Sequence, residues 1–192
     1  MELSPTFYRF FVRPKYISKL IINHLLGVIN FTNSTVLDFG CGIGTNSFLF
    51  PSSGYIGLDC NCSRINYAKK HYPDHKFISS ANHHIPLPNK SVDYIIIVSV
   101  LHHISNKELK MYFNEFHRIL KDNGKILTLE PCLFHNAHIN NWFMLHIDKG
   151  HYIRKEKEYL SLFRTSNFHA TVIKRYNQLI LYNKIFISAT PK

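Results

Sequence analysis

Apolar and polar positions alternate along the chain with periods that change several times. From Pro14 to Gly27, apolar residues at Ile17, Leu20, Ile21, Leu25 and Leu26 keep a helical spacing, with proline at the start and glycine at the end. Thr35–Phe39 is a short apolar run that enters a glycine cluster, and residues 45–50 are expected to begin a helix. Tyr55–Asp59 follows as a second strand, Ser63–His71 as a helix broken by Pro73, and Lys76–Ser79 as a third strand. Val92–Val98 is apolar throughout after Asp93, and its lack of alternation suits a parallel strand covered on both faces. Asn106–Leu120 sets Leu109, Met111, Phe113, Phe116, Ile119 and Leu120 mostly on one side of a helix, stopped by Lys-Asp-Asn-Gly at 121–124. Lys125–Glu130 is the fifth strand, and helices are expected around Asn140–Ile147 and Lys155–Phe163. Ala170–Tyr176 and Leu179–Ser188 read as a closing antiparallel hairpin.

Strands alternating with helices predict a Rossmann-like three-layer α/β sandwich, with a mostly parallel seven-stranded sheet. No repeat, low-complexity tract or linker interrupts residues 1–192, so one domain is expected, with 1–30 as an N-terminal helical segment. The apolar fraction of 45% supports a packed core and excludes general disorder. Four cysteines in 192 residues are too few to staple the fold. The longest nearly pure apolar run, Tyr94–Leu101, falls far short of the roughly 20 residues of a bilayer span. The opening MELSPTFYRFFVRPKY has no cleavage signature, so a reduced, cytoplasmic setting is expected.

The chemistry concentrates at the glycine cluster. Gly40, Gly42 and Gly44 form GxGxG at a strand-to-helix turn, where glycine lets the backbone bend and a ligand lie against it. This is not the dinucleotide spacing GxGxxG, and Asp38 stands two residues ahead. An acid there suits a ligand with a cationic centre, such as an ammonium or sulfonium. Asp59, ending the second strand, is placed to accept the hydroxyl hydrogens of a ribose. Asp38 and Asp59 also stand where helix caps occur.

With VDYIIIVSVLHHI and GKILTLEP, this pattern resembles the class I S-adenosylmethionine-dependent methyltransferases, in particular the small bacterial, type 11-like ones. The resemblance covers roughly residues 30–131. It implies that Asp38, Gly40, Cys41 and Gly42 line the methionine part of S-adenosylmethionine, with Gly44 completing the loop. It further implies that Asp59 holds the ribose, that Cys60 or Asn61 packs by the adenine, and that Leu101 and His102 sit beside the methionine and its methyl. Many relatives carry Asp-Ala after the third strand; Ser80-Ala81 stands here with Asn82 next, and a hydroxyl or side-chain amide can still accept from the adenine amino group.

Methyl transfer needs alignment and, for a hydroxyl or ammonium acceptor, a proton acceptor. His102 and His103 are the candidates, one facing the site and the other supporting it, or both simply lining the pocket. Glu130 either orients the acceptor or bonds a nearby amide. Residues 132–154 are expected to form an acceptor-binding lid, with His135 and His151 as contacts. Arg154 is a candidate grip on a carboxylate or phosphate, or a solvated charge. Cys132, His135 and His138 lack a clear fourth ligand, and no metal is expected.

The net charge of +11 suggests an anionic partner, and residues 149–192 hold nine Lys and Arg against two Glu. The favoured reading is methylation of an O or N atom of a small molecule: a sugar, a glycan precursor or a biosynthetic intermediate. RNA as acceptor and a non-catalytic binding module are the alternatives. Against RNA, SVLHHI stands where amino-directed base methyltransferases carry Asn/Asp-Pro-Pro-Tyr/Phe.

Overall fold

The computed structural model describes residues 29–148, 151–178 and 182–192. The helix expected over 14–27 lies outside them. Two compact units meet in sequence between Asn82 and His83.

In the first unit, β1 (Val36–Phe39), β2 (Tyr55–Asp59) and β3 (Lys76–Ser79) run parallel, with β2 in the middle. Asp38 stands opposite Gly57, and Asp59 opposite Ser79. The helix α1 (Cys62–His71) is capped by the Asn61 side chain and buries Ile65 and Ala68. Phe50 stacks on Tyr55, which meets Phe77 edge-on, all three buried, and a Cβ on Gly57 would stand 2.6 Å from the Phe77 ring. The helix expected from residue 45 does not form, and a single 3₁₀ turn, Ser47–Leu49, takes its place. Pro51 explains this, because the residue before proline is driven out of the helical region and Phe50 is extended.

In the second unit, β4 (Val92–Val98) pairs in parallel with β5 (Leu120–Leu133). The strand β5 begins earlier than Lys125, since Leu120 already pairs with Val92 before the register shifts. Between them α2 (Asn106–Ile119) is closed by a reciprocal Ser105–Glu108 capping box and buries Leu109, Phe113, Phe116 and Ile119. Met111, expected on that apolar side, is exposed. After β5 come α3 (His138–Ile147), the two-residue β6 (Arg154–Lys155) and α4 (Glu156–Thr165). The hairpin of β7 (Phe168–Gln178) and β8 (Tyr182–Pro191) sets β8 antiparallel to both β5 and β7. The strand β6 pairs with Cys132–Leu133 and is the one strand beyond the seven expected, among the described residues. The α/β class with mostly parallel strands and a closing antiparallel hairpin is the observed one.

Candidate functional site

In the first unit, Gly40, Gly42 and Gly44 all have positive φ, at 74°, 57° and 75°, a region costly for other residues. The amides of Gly40 and Cys41 both donate to the Leu58 carbonyl, which folds the turn across the end of β2. Asp59 then joins turn and helix: Oδ2 accepts from the Gly42 amide at 2.8 Å and Oδ1 from the Asn61 amide at 2.9 Å. Each carboxylate oxygen retains lone-pair capacity for further donors.

The glycines do different work. No atom lies within 4 Å of the position a Gly42 Cβ would occupy, so the turn is open there. A Cβ on Gly44 would stand 2.9 Å from the Phe77 ring and 3.1 Å from the Ala68 Cβ, so that glycine is required by packing.

Asp38 is buried and accepts the Tyr55 hydroxyl at 2.7 Å. Burial, and then the Asp38 charge, push the Tyr55 phenol well above its ordinary pKa, so it remains a neutral donor. The Cys41 thiol is also pushed up, by burial and by Asp38 and Asp59. Cys60 and Ala81 are exposed, and Asn61 spends its side-chain oxygen on the Arg64 amide. The Ser80 amide donates to the Asp59 carbonyl, and its hydroxyl to Asn82. Sequence reasoning missed Tyr55 and two buried atoms just after the glycines, Asn46 Oδ1 and Ser47 Oγ, which have no hydrogen-bond partner. An open glycine cradle, a carboxylate with spare acceptor capacity and unspent buried acceptors fit a ligand bearing hydroxyl and ammonium hydrogens.

In the second unit the polar groups gather at the turn after β4. Ser99 has φ 55° and accepts from Lys184 Nζ at 2.8 Å. Glu130, fully buried on β5, receives the Val100 and Leu101 amides on Oε1 at 2.8 and 2.9 Å. Its Oε2 lies 2.8 Å from His102 Nδ1, and Asp148 Oδ1 lies 3.5 Å from His102 Nε2. Burial alone would lower the His102 pKa, but Asp148 and Glu130 together raise it above the ordinary value. Burial pushes the Glu130 carboxyl up, and the His102 bond and the backbone donors outweigh this and hold it low. Glu130 thus bonds nearby amides, one of the two roles expected of it.

Arg154 is placed differently from a grip on an acceptor anion. Its Nε and Nη2 both reach Asn106 Oδ1, Nη1 reaches the Leu101 and Tyr152 carbonyls, and Nη2 also reaches the Ile104 carbonyl, all at 2.7–3.0 Å. All five guanidinium hydrogens are thereby engaged, and the side chain rivets the turn that carries His102. Leu101 is buried, while His103, with its ring 4.0 Å from that of His102, is exposed. His135 and His151 are exposed, and burial pushes the Cys132 thiol up to about 12. Among the described residues no group of three His, Cys, Asp or Glu could hold a metal ion, and no helix is long and apolar enough to cross a membrane.

Residues 37–128 match the family model described as a methyltransferase domain. A protein of Invertebrate iridescent virus 6, 235L, provisionally named a methyltransferase, is 34% identical over 118 residues, 57% of this chain and 43% of that one. The ubiquinone/menaquinone biosynthesis C-methyltransferase UbiE of Campylobacter jejuni is 28% identical over 105 residues, 50% of this chain and 43% of that one. These alignments span under half the length of the curated relatives. Among solved structures, a SAM-dependent methyltransferase from Aquifex aeolicus superimposes with a TM-score of 0.70 at 18% identity, covering 97% of this chain and 99% of that one. That likeness establishes the fold.

Proposed function

We propose that this chain, which belongs to the class I S-adenosylmethionine-dependent methyltransferases, transfers the methyl group of that cofactor to an O or N atom of a small molecule. A sugar, a glycan precursor or a biosynthetic intermediate is the acceptor class in this reading. When bound, S-adenosylmethionine supplies a methyl group on a positively charged sulfur, open to in-line displacement. The chain supplies orientation and exclusion of water, and alignment alone can be worth roughly 7–11 kcal/mol. Asp59 would take the ribose hydroxyls, the open face of Gly42 would accept the methionine part, and Asp38 would supply negative charge beneath it. The observation that carries this reading is the Asp59 carboxylate, tied to the Gly42 and Asn61 amides beside that open turn.

A carbon acceptor is the second reading, favoured by the similarity to UbiE, whose name specifies C-methylation. A cytoplasmic setting accords with four free cysteines. The basic C-terminal third remains where an anionic acceptor group is best sought, with Arg154 removed from the candidates.

Titration calorimetry of Asp59→Ala with S-adenosylmethionine tests the assignment. Two charge-assisted bonds of about 1.5–3 kcal/mol each lead us to expect a weakening of roughly 100-fold or more. Unchanged affinity in a folded variant overturns it.

A further inference from the structure

The chain Glu130–His102–Asp148 has two unlike ends. Glu130 is fully buried, anchored by backbone amides, and takes Nδ1 at 2.8 Å. Asp148 follows the last residue of α3, and its oxygen stands 3.5 Å from Nε2. Glu130 accepts the Nδ1 proton. A neutral imidazole would then turn the Nε2 lone pair toward the Asp148 carboxylate, acceptor against acceptor. The arrangement is attractive only while Nε2 also carries a proton.

The helix α3 makes polar contacts through two asparagines. Asn140 reaches the Asn183 side chain at 2.9 Å, and Asn141 reaches the Phe134 carbonyl at 2.8 Å. Of its described side chains Met144 alone is fully buried, while Ile139, Trp142 and Leu145 are exposed at 73%, 60% and 56%. Few buried apolar contacts mean a low cost of local opening.

We propose that Asp148 is a positioning residue that holds His102 doubly protonated, and that its withdrawal with the end of α3 frees Nε2 to accept a proton. The inference rests on the methyltransferase reading for its use, not for its geometry. When Asp148 leaves, the Nε2 proton goes to water, and Glu130 keeps the ring in the Nδ1–H tautomer. Nε2 then has the lone pair to take a proton from an O–H or N–H group brought to it. Proton acceptance and movement of α3 are thus one event. The other groups at this turn are His103, whose ring lies 4.0 Å from that of His102, Arg154 of β6, on the Leu101 carbonyl, and the Tyr152 amide, on the His102 carbonyl. Tyr159 of α4, bonded to the Pro131 carbonyl, and Lys184 of β8, opposite Pro131, stand beyond Glu130.

NMR titration of the His102 imidazole in the full chain, assigned with His102→Gln, tests this without cofactor or acceptor. Asp148→Asn is expected to lower the titration midpoint by about one pH unit or more, a tenfold loss of proton affinity, and Asp148→Glu to restore it. In the unmodified chain, protection of the amides of residues 138–148, corrected for the intrinsic base-catalysed rate, is expected to fall above the His102 midpoint. The fluorescence of Trp142 should change over the same range in a His146→Gln background, which removes the imidazole stacked on that ring. A midpoint unmoved or raised in folded Asp148→Asn overturns the proposal. Should that variant not fold, protection of 138–148 in the unmodified chain, taken after correction for the intrinsic base-catalysed exchange rate, that stays unchanged across the midpoint overturns it equally. Failure here leaves cofactor binding intact, whereas wild-type cofactor affinity in Asp59→Ala would sink the methyltransferase site and leave this titration unaffected.

Discussion

Replacing Arg154 with Ala separates a rivet from a ligand grip. The guanidinium is buried and reaches four acceptors, of which the Leu101 carbonyl lies deepest and the other three are partly wetted. A hydrogen bond to a charged group contributes about 1.5–3 kcal/mol, and an abandoned buried acceptor costs about 1–3 kcal/mol. Against this, removing the cation recovers a desolvation penalty of several kcal/mol, and the three outer acceptors can bond to water. The net expected loss is about 3 kcal/mol. In a chain of this size that lowers the melting temperature by roughly 6–12 °C. Arg154→Lys keeps the charge but has three donors and no planar fork, so about half the loss is expected. Thermal unfolding followed by circular dichroism, without ligand, is the assay. A side chain kept for gripping an acceptor anion would leave the free protein's stability within about 0.5 kcal/mol of the parent, as surface substitutions do. That result, with Arg154→Ala folded and melting as the parent does, refutes the rivet.

Gly42→Ala and Gly44→Ala both incur left-handed strain of about 1–2 kcal/mol. Only the second drives a Cβ into Phe77 and Ala68, for about 1–3 kcal/mol more. Gly44→Ala should therefore melt lower while Gly42→Ala loses more cofactor affinity in calorimetry, and the reverse order would contradict the assignment of the two glycines. Stability should also depend on pH with a definite sign. The raised His102 pKa adds stability that is fully present below the unfolded value of about 6.5 and is lost as pH rises through the folded one. Glu130, held low by His102 and backbone amides, and Glu115, held at about 2 by Arg118, add stability present above about pH 4.5 and lost on acidification. The melting-temperature gap between the parent and His102→Gln should be widest near pH 5–6 and shrink toward alkaline pH; a gap independent of pH rules out the charged His102.

Much of the fold was legible because buried parallel strands leave a dense signal. Tyr55–Asp59, Lys76–Ser79 and Val92–Val98 emerge with the bounds expected of them. The capped helix Asn106–Ile119 differs by one residue at its end. The helix expected from residue 45 is cut to the turn Ser47–Leu49 because Pro51 holds Phe50 extended. The early start of β5 was hidden because a register shift interrupts its pairing. The two residues of β6 are too few to show any period.

The candidate sites divide by a different principle. A sequence shows that Asp38, Asp59, Glu130 and Arg154 are polar residues beside apolar runs, and buried polar groups must find partners. It does not show whether those partners are internal or belong to a ligand. Glu130 meets three backbone amides and His102, and Arg154 spends every hydrogen on the chain. Both are consumed in building the His102 turn. Asp59 spends one lone pair of each oxygen on Gly42 and Asn61 and keeps the others, beside a glycine with open space above it. Unspent hydrogen-bonding capacity, rather than polarity or position on a strand end, is what singles out Asp59 as the candidate ligand contact. That quantity exists only once carbonyls as far apart in sequence as those of Leu101 and Tyr152 have been brought to one guanidinium.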